Sequence, residues 1–350
     1  MKKRFGKLHM MSANESPYGP SPLAVKAMKE RMRHTNYYPA RDDRKVTTAL
    51  ADFFDCGLQP ENFITGNGAV DVIRMIENCL FEAGQSNSVV ICPPCFGPYA
   101  DMAQLKGAEV IEHALNPETF AIDISGIKNA VRPDTRIMYV CNPNNPTGTY
   151  FGKDELEQIL DALPEQVTLV YDTVYYQFAT EFDLPSALDC VLENRNIVVL
   201  HSFSKAFGMA GMRLGYGIAT AEMIKKMRNK KLPFQTSTLS QAAILGGLRD
   251  TKFIARVVKR NTVQRHWLQN RLADLGIQFW PSQANFICFK VPPGQDAETL
   301  VDALAQYGLM VRAAFYLPQH VRVSIGVSRA NRKFIFALSK IVSDLDGGAR

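Results

Sequence analysis

Between residues 63 and 218, short apolar runs alternate with helix-patterned segments, and this alternation restricts the chain more than any other feature. Apolar runs bounded by turn residues read as buried strands, expected at 63–65, 88–91, 136–140, 168–172, 197–200 and 214–218. Helical patterns lie between several of them, as at 71–81 and 153–163. Strands that alternate with helices build an α/β fold, here a mostly parallel sheet covered by helices on both faces.

Upstream, Ser21-Pro22 has the form of an N-cap and first helical residue, with Val25, Met28 and Met32 on one face. A second amphipathic helix carries Val46, Leu50, Phe53 and Phe54. From about Ser237 the texture changes to long helices at 237–248 and 253–275. Strand-like runs at 286–289 and 321–325 then bracket a helix at 298–307. The expected division is a large domain, 30–240, and a smaller α+β domain made of 1–29 and 241–350.

Composition narrows the functional classes. With 350 residues, 46% hydrophobic and 21% charged, the chain has room for two domains or one large one. A net charge of +6, dispersed along the sequence, is too mild for a nucleic-acid partner. No apolar run approaches the ~18 residues of a membrane span. Met1-Lys2-Lys3-Arg4 is not followed by an apolar stretch, so no signal peptide is expected. Seven scattered cysteines fit a reducing cytoplasm. Cys92-Pro93-Pro94-Cys95 lacks further ligands at zinc spacing, so its thiols read as incidental and no metal is expected.

Chemistry gathers at the ends of the expected strands, where open α/β sheets bind ligands. The run Ile197-Val198-Val199-Leu200 leads into Ser202-Phe203-Ser204-Lys205, with Arg213 eight residues on. A lysine ending a buried strand is costly unless paired or neutral. Desolvated near another cation, it becomes a neutral amine nucleophile. Two serines and an arginine beside it suit a phosphate, and together these residues suggest a Schiff-base lysine next to pyridoxal 5'-phosphate (PLP). Gly66-Asn67-Gly68-Ala69-Val70-Asp71 opens a helix whose first amides form an anion site. It half-matches the dinucleotide pattern G-x-G-x-x-G, but Asp71 replaces the third glycine, which weakens a nicotinamide reading. Cys141-Asn142-Pro143-Asn144-Asn145-Pro146-Thr147-Gly148 forms a non-helical turn rich in amide side chains. Asp172, in an apolar context, calls for a cationic partner, either a salt bridge or a protonated pyridine nitrogen. Arg322, alternating with apolar residues, points its fork at an anion: an internal carboxylate or a substrate's.

With these motifs in order, the chain resembles the fold-type I PLP-dependent aminotransferases, most closely the histidinol-phosphate aminotransferases, from Ser12-Ala13-Asn14-Glu15-Ser16-Pro17-Tyr18-Gly19 to the segment around Arg322. The resemblance implies that Lys205 holds PLP as an aldimine and that Asp172 pairs with the ring nitrogen. It places Asn145 and Tyr175 at the ring's phenolic oxygen and Phe96 on its face. The phosphate would lie on Gly68, Ala69 and Val70, with Ser202, Ser204 and Arg213. Tyr38 would reach the phosphate of a neighbouring subunit in a homodimer. Asn14, Tyr18 and Arg322 would meet the substrate, an L-amino acid, a histidinol-phosphate-like amine or a 2-oxo acid. Relative to the family the chain starts late, without the leading segment that carries a substrate-phosphate tyrosine in some members. It also has Asp172-Thr173-Val174-Tyr175 for the usual Asp-Glu-Ala-Tyr, and Gln177 where an acid is common. The same scaffold hosts decarboxylases, lyases and cyclases. A nicotinamide oxidoreductase and a non-catalytic PLP-binding regulator are the readings from other classes, and no DNA-binding module is evident for the latter.

Overall fold

Twelve strands in three sheets make up the computed structural model, which describes residues 8–181 and 183–348. The charged start of the chain, residues 1–4, and the last two residues of the expected smaller domain lie outside them. Strand β1 (His9–Met10) opens the described chain. The large sheet contains β2 (Phe63–Gly66), β3 (Ser88–Ile91), β4 (Glu109–Glu112), β5 (Thr135–Cys141), β6 (Thr168–Asp172), β7 (Ile197–Ser202) and β8 (Gly215–Ile218). Their order is β2-β8-β7-β6-β5-β3-β4, parallel except for β8, which runs against both neighbours.

All six expected strands form, because each is an apolar run with both faces covered. Met138, Val140, Leu169, Tyr171 and Val199 face one core layer. Val89, Ile91, Ile137, Val170, Val198 and Leu200 face the other, packing on Val72, Ile73 and Ile76 of the helix Ala69–Leu80. Strand β4 was not expected. Its Glu-Val-Ile-Glu sequence carries no buried run, and its glutamates are exposed where it caps the sheet edge.

A second sheet, order β11-β12-β9, is antiparallel and joins β9 (Phe286–Lys290), β11 (Arg312–Ala314) and β12 (Leu317–Ser324). Strand β10 (Leu309–Met310) pairs instead with β1. Ile287, Phe289, Leu300, Leu304, Val321, Val323, Phe334 and Leu338 form the core beneath. The packing draws the division differently from the expected one. Ala24 of the helix Pro22–Met32, and Ala243, Ile244 and Leu248 of the helix Thr238–Leu248, belong to the large sheet's core. A Cβ on Gly246 would overlap the carbonyl of Leu23, so these two helices meet nearly backbone to backbone. We propose a boundary inside the helix Thr251–Asp274, where Ile254 packs on the large core while Leu268 and Leu272 pack on the smaller one.

One buried charge ties the start of the large domain to its sheet. Asp43 is 2% exposed, and its Oδ2 accepts hydrogen bonds from the amide and hydroxyl of Thr65, both at 2.9 Å. Arg228 and Lys231 meet the carboxylate at 2.6 and 2.7 Å. Burial alone would raise the pKa of Asp43, but Lys231, Arg228 and the Thr65 amide hold it well below the usual carboxylate range. A depressed folded-state pKa stabilises the fold above the unfolded value near 4, and that contribution is lost as pH falls through the folded pKa. Asp43→Asn should therefore cost about 3 kcal/mol at pH 7, by stranding two partly buried cations. The deficit should shrink as pH drops below 4. Thermal unfolding of both proteins at pH 7 and pH 3 checks this, and coincident melting at pH 7 refutes it.

Candidate active site

The carboxyl ends of β5, β6 and β7 open into a cavity of about 400 Å³. Strand register brings its central groups together. Cys141 pairs with Asp172, and Asp172 with Leu200, so the three strands end side by side. Asp172 is the last residue of β6 and only 3% exposed. Its Oδ1 accepts the amide of Val174 at 3.1 Å, and its Oδ2 accepts the hydroxyl of Tyr99 at 2.6 Å. Burial pushes its pKa up to about 6, against the pull of Tyr99, Val174 and Lys205. A cation placed in the cavity would bring it back to full charge.

Lys205 follows β7 and enters the same cavity. Its Nζ donates to the carbonyl of Ala13 at 3.2 Å and lies 5.6 Å from the centre of the Tyr175 ring. Desolvation, then Arg322 and Arg213, lower its pKa to about 8, while Glu15 and Asp172 oppose the shift. At pH 7 roughly one lysine in ten is then neutral, about 300 times the fraction for an ordinary lysine. This is an amine prepared for attack on a carbonyl.

At the side of the cavity, an anion cup forms where the helix Ala69–Leu80 begins. Ala69 and Val70 line the cavity at its first turn, with Ser202, Ser204 and Arg213. Gly68 has φ 81°, and a Cβ there would run into the guanidinium of Arg213. Gly215 of β8 lies so close to the Ala69 amide that a side chain would block the helix start. Arg213 itself adopts φ 51°, with Nη1 on the carbonyl of Ala210 at 2.9 Å. Backbone amides, two hydroxyls and one guanidinium around a small hollow suit a phosphate.

Phe96, Asn145 and Tyr175 also line the cavity. Tyr175 Oη accepts from Asn14 Nδ2 at 3.0 Å, and Asn14 is buried against Ser324. Arg322, 3% exposed, stands behind Asn145. Its Nη1 donates to Asn145 Oδ1 and its Nη2 to the carbonyl of Ser12, both at 2.5 Å. Its buried Nε has no partner.

Two expected residues stand elsewhere in the chain. Tyr18 packs against Ala206 and Val257 with the Arg260 guanidinium 5.3 Å above its ring, in a separate surface hollow. It turns away from the cavity because its apolar ring finds a covered site there. Tyr38 is 82% exposed and leans on Phe234 with ring centres 5.1 Å apart. Gln177, the departure noted in the sequence, is absent from the lining, and its Oε1 is buried without a partner. The sequence reading missed Ala13, Glu15 and Tyr99. Tyr99 carried a signal, since it lies three residues after Phe96 at the start of the helix Pro98–Leu105, which puts both on one side.

The sequence profile of the class I and II aminotransferases matches residues 7–336. The histidinol-phosphate aminotransferase of Halalkalibacterium halodurans is 32% identical over 336 residues, 95% of this chain and 89% of its own length. That of Akkermansia muciniphila is 34% identical over 334 residues, with the same coverage. The crystal structure of the histidinol-phosphate aminotransferase from Sinorhizobium meliloti, in complex with pyridoxal-5'-phosphate, superposes with a TM-score of 0.88 at 25% identity. The overlap covers 98% of this chain and 94% of that one. A match over nearly the whole length, on a fold whose strand ends already hold a primed lysine and a buried aspartate, makes this chain a member of the class I and II aminotransferases.

Proposed function

We propose that the protein is a PLP-dependent aminotransferase that moves an amino group between an L-amino acid, or an amine of the histidinol-phosphate type, and a 2-oxo acid. The observation that carries this reading is the convergence of the Lys205 amine, the Asp172 carboxylate and the Arg213 anion cup on one cavity. Its donor set fits the cofactor from end to end. The cup suits a phosphate, the raised Asp172 is short of a cationic partner, and the lowered Lys205 is a ready amine. When bound, the cofactor supplies an electron sink for the bond broken at the substrate's α-carbon.

The residues divide the remaining work. Lys205 would hold the cofactor, and its Nζ, with its lowered pKa, can take and return a proton at the substrate. Asp172, in a low dielectric, keeps the ring nitrogen protonated. Phe96 would cover one face of the ring, and Asn145 and Tyr175 would hydrogen-bond its oxygen. Gly68, Ala69, Val70, Ser202, Ser204 and Arg213 hold the phosphate. Arg322, behind Asn145, would receive the substrate carboxylate in exchange for its bonds to Asn145 and Ser12, and Asn14 orients Tyr175 beside it.

Exposed Tyr37, Tyr38 and Phe234 line one aromatic-rich surface hollow. Its best cover is a second copy of the chain, with Tyr38 reaching the partner's phosphate site. Seven free cysteines among the described residues support a reducing compartment, the cytoplasm. No described helix is long and apolar enough to cross a membrane.

Reconstituted protein should be yellow, and borohydride should fix the cofactor to the wild type but not to Lys205→Ala; cofactor fixed to the variant, read by mass spectrometry, removes the basis of the assignment. Apoenzyme should capture PLP at a rate that rises with pH through a midpoint near 8 and then levels off, following the Lys205 amine. A rate still climbing steeply at pH 10 would show an ordinary lysine. Mixed with a panel of amino acids, the holoenzyme should bleach and yield the matching 2-oxo acid, read by chromatography. Carbon dioxide released in its place would move the protein to the decarboxylases.

A further inference from the structure

Asp172 is itself held by a residue outside the cavity lining. Tyr99 is fully buried, and its hydroxyl donates to Asp172 Oδ2 at 2.6 Å, a short charge-assisted hydrogen bond. Burial and the charge of Asp172 raise its phenol pKa well above the usual value, so the group stays protonated and only donates. Its ring is fixed from two sides. Tyr139 of β5 stacks on it with centres 4.8 Å apart and planes 3° from parallel. Phe96 meets it edge-on at 5.4 Å. The Tyr139 hydroxyl in turn donates to Glu77 at 3.0 Å, a wholly buried carboxylate paired with Lys106 at 3.0 Å. Two stacked phenols thus each serve a buried carboxylate: one at the site, the other anchored toward the surface by a lysine.

We propose that Tyr99 is a positioning residue that sets both the orientation and the basicity of Asp172 toward the cofactor's ring nitrogen. The proposal rests on the PLP reading above. With Oδ2 occupied by Tyr99 and Oδ1 only by the distant end of a backbone amide bond at 3.1 Å, the carboxylate cannot rotate freely and its charge is partly shared. The other titratable groups around this pair are Lys205 and Tyr175 facing Asp172, the Cys141 thiol facing both, and the Cys95 thiol facing Tyr99. Burial raises both thiols, Cys95 to about 12, so neither charges at working pH. Without the phenol, the carboxylate would lose the contact that aims it and so hold the cofactor less well, while its undivided charge would make it a stronger base toward the ring proton. That change would favour the cationic form of the Lys205 nitrogen.

Tyr99→Phe keeps the ring and the stack and removes only the hydroxyl. In its holoenzyme, the pH midpoint of the visible band should move up by about half a unit or more, as expected for a lost hydrogen bond to a charged group. Its apoenzyme should bind PLP about tenfold more weakly, and kcat should fall about tenfold with KM for the amino donor within about twofold. Tyr99→His, which offers a ring N–H, should recover part of the spectral shift. A wild-type midpoint together with wild-type cofactor affinity in Tyr99→Phe would overturn the proposal. So would losses that track a lowered melting temperature in both variants, with no recovery in Tyr99→His. A silent Tyr99→Phe in a protein that takes up PLP and is fixed to it by borohydride sinks this inference alone; a wild-type protein that takes up no PLP sinks the PLP reading itself.

Discussion

Desolvation acting in opposite senses on two neighbouring groups is the constraint from which the rest of this site follows. Burial in the same cavity drives Lys205 toward its neutral form and Asp172 toward its protonated one. Their mutual attraction offsets only part of that cost, so each is left short of a partner. A flat cationic heterocycle carrying an aldehyde answers both needs at once, one at its ring nitrogen and the other at its carbonyl. An ordinary salt bridge between the two would have made the pair inert.

The sheet makes this pairing possible. Parallel strands all present their carboxyl ends to the same edge, so β5, β6 and β7 deliver an amide turn, a carboxylate and an amine within one cavity. The antiparallel β8 returns the chain so that Arg213 meets the helix start at Ala69. Thr65, one residue before the Gly66–Gly68 turn, is clamped by Asp43 and its two cations. That clamp connects stability with function, because it fixes the strand from which the anion cup is hung.

Contributions from distant parts of the chain complete the enclosure. Ala13 and Glu15 come from the segment after β1, which is itself paired to β10 of the smaller domain. Arg322 reaches Asn145 from β12, spanning 177 residues of sequence. The antiparallel sheet and the large sheet's strand ends therefore meet through a hydrogen bond at the site.

Much of this was legible in the residues themselves. Strand and helix positions follow from burial, because a run covered on both faces must be apolar and a surface helix must be so on one side. Lys205, Asp172, Asn145 and Arg213 were legible because polar groups at the ends of apolar runs have no other economical place. The edge strand β4 was not, since an exposed edge imposes no pattern on Glu109–Glu112. Tyr18 resembled a substrate residue in sequence, yet local packing on Ala206 and Val257 decides its direction. Tyr99 reads in one dimension as a helix aromatic among others; only the fold brings its hydroxyl against Asp172. What the linear chain settles is which groups carry the chemistry, since desolvation cost depends on residue type and neighbouring pattern. Which of their lone pairs and protons are already engaged, and by whom, is decided by tertiary contacts between residues far apart in the sequence, because hydrogen bonds depend on distances that only packing sets.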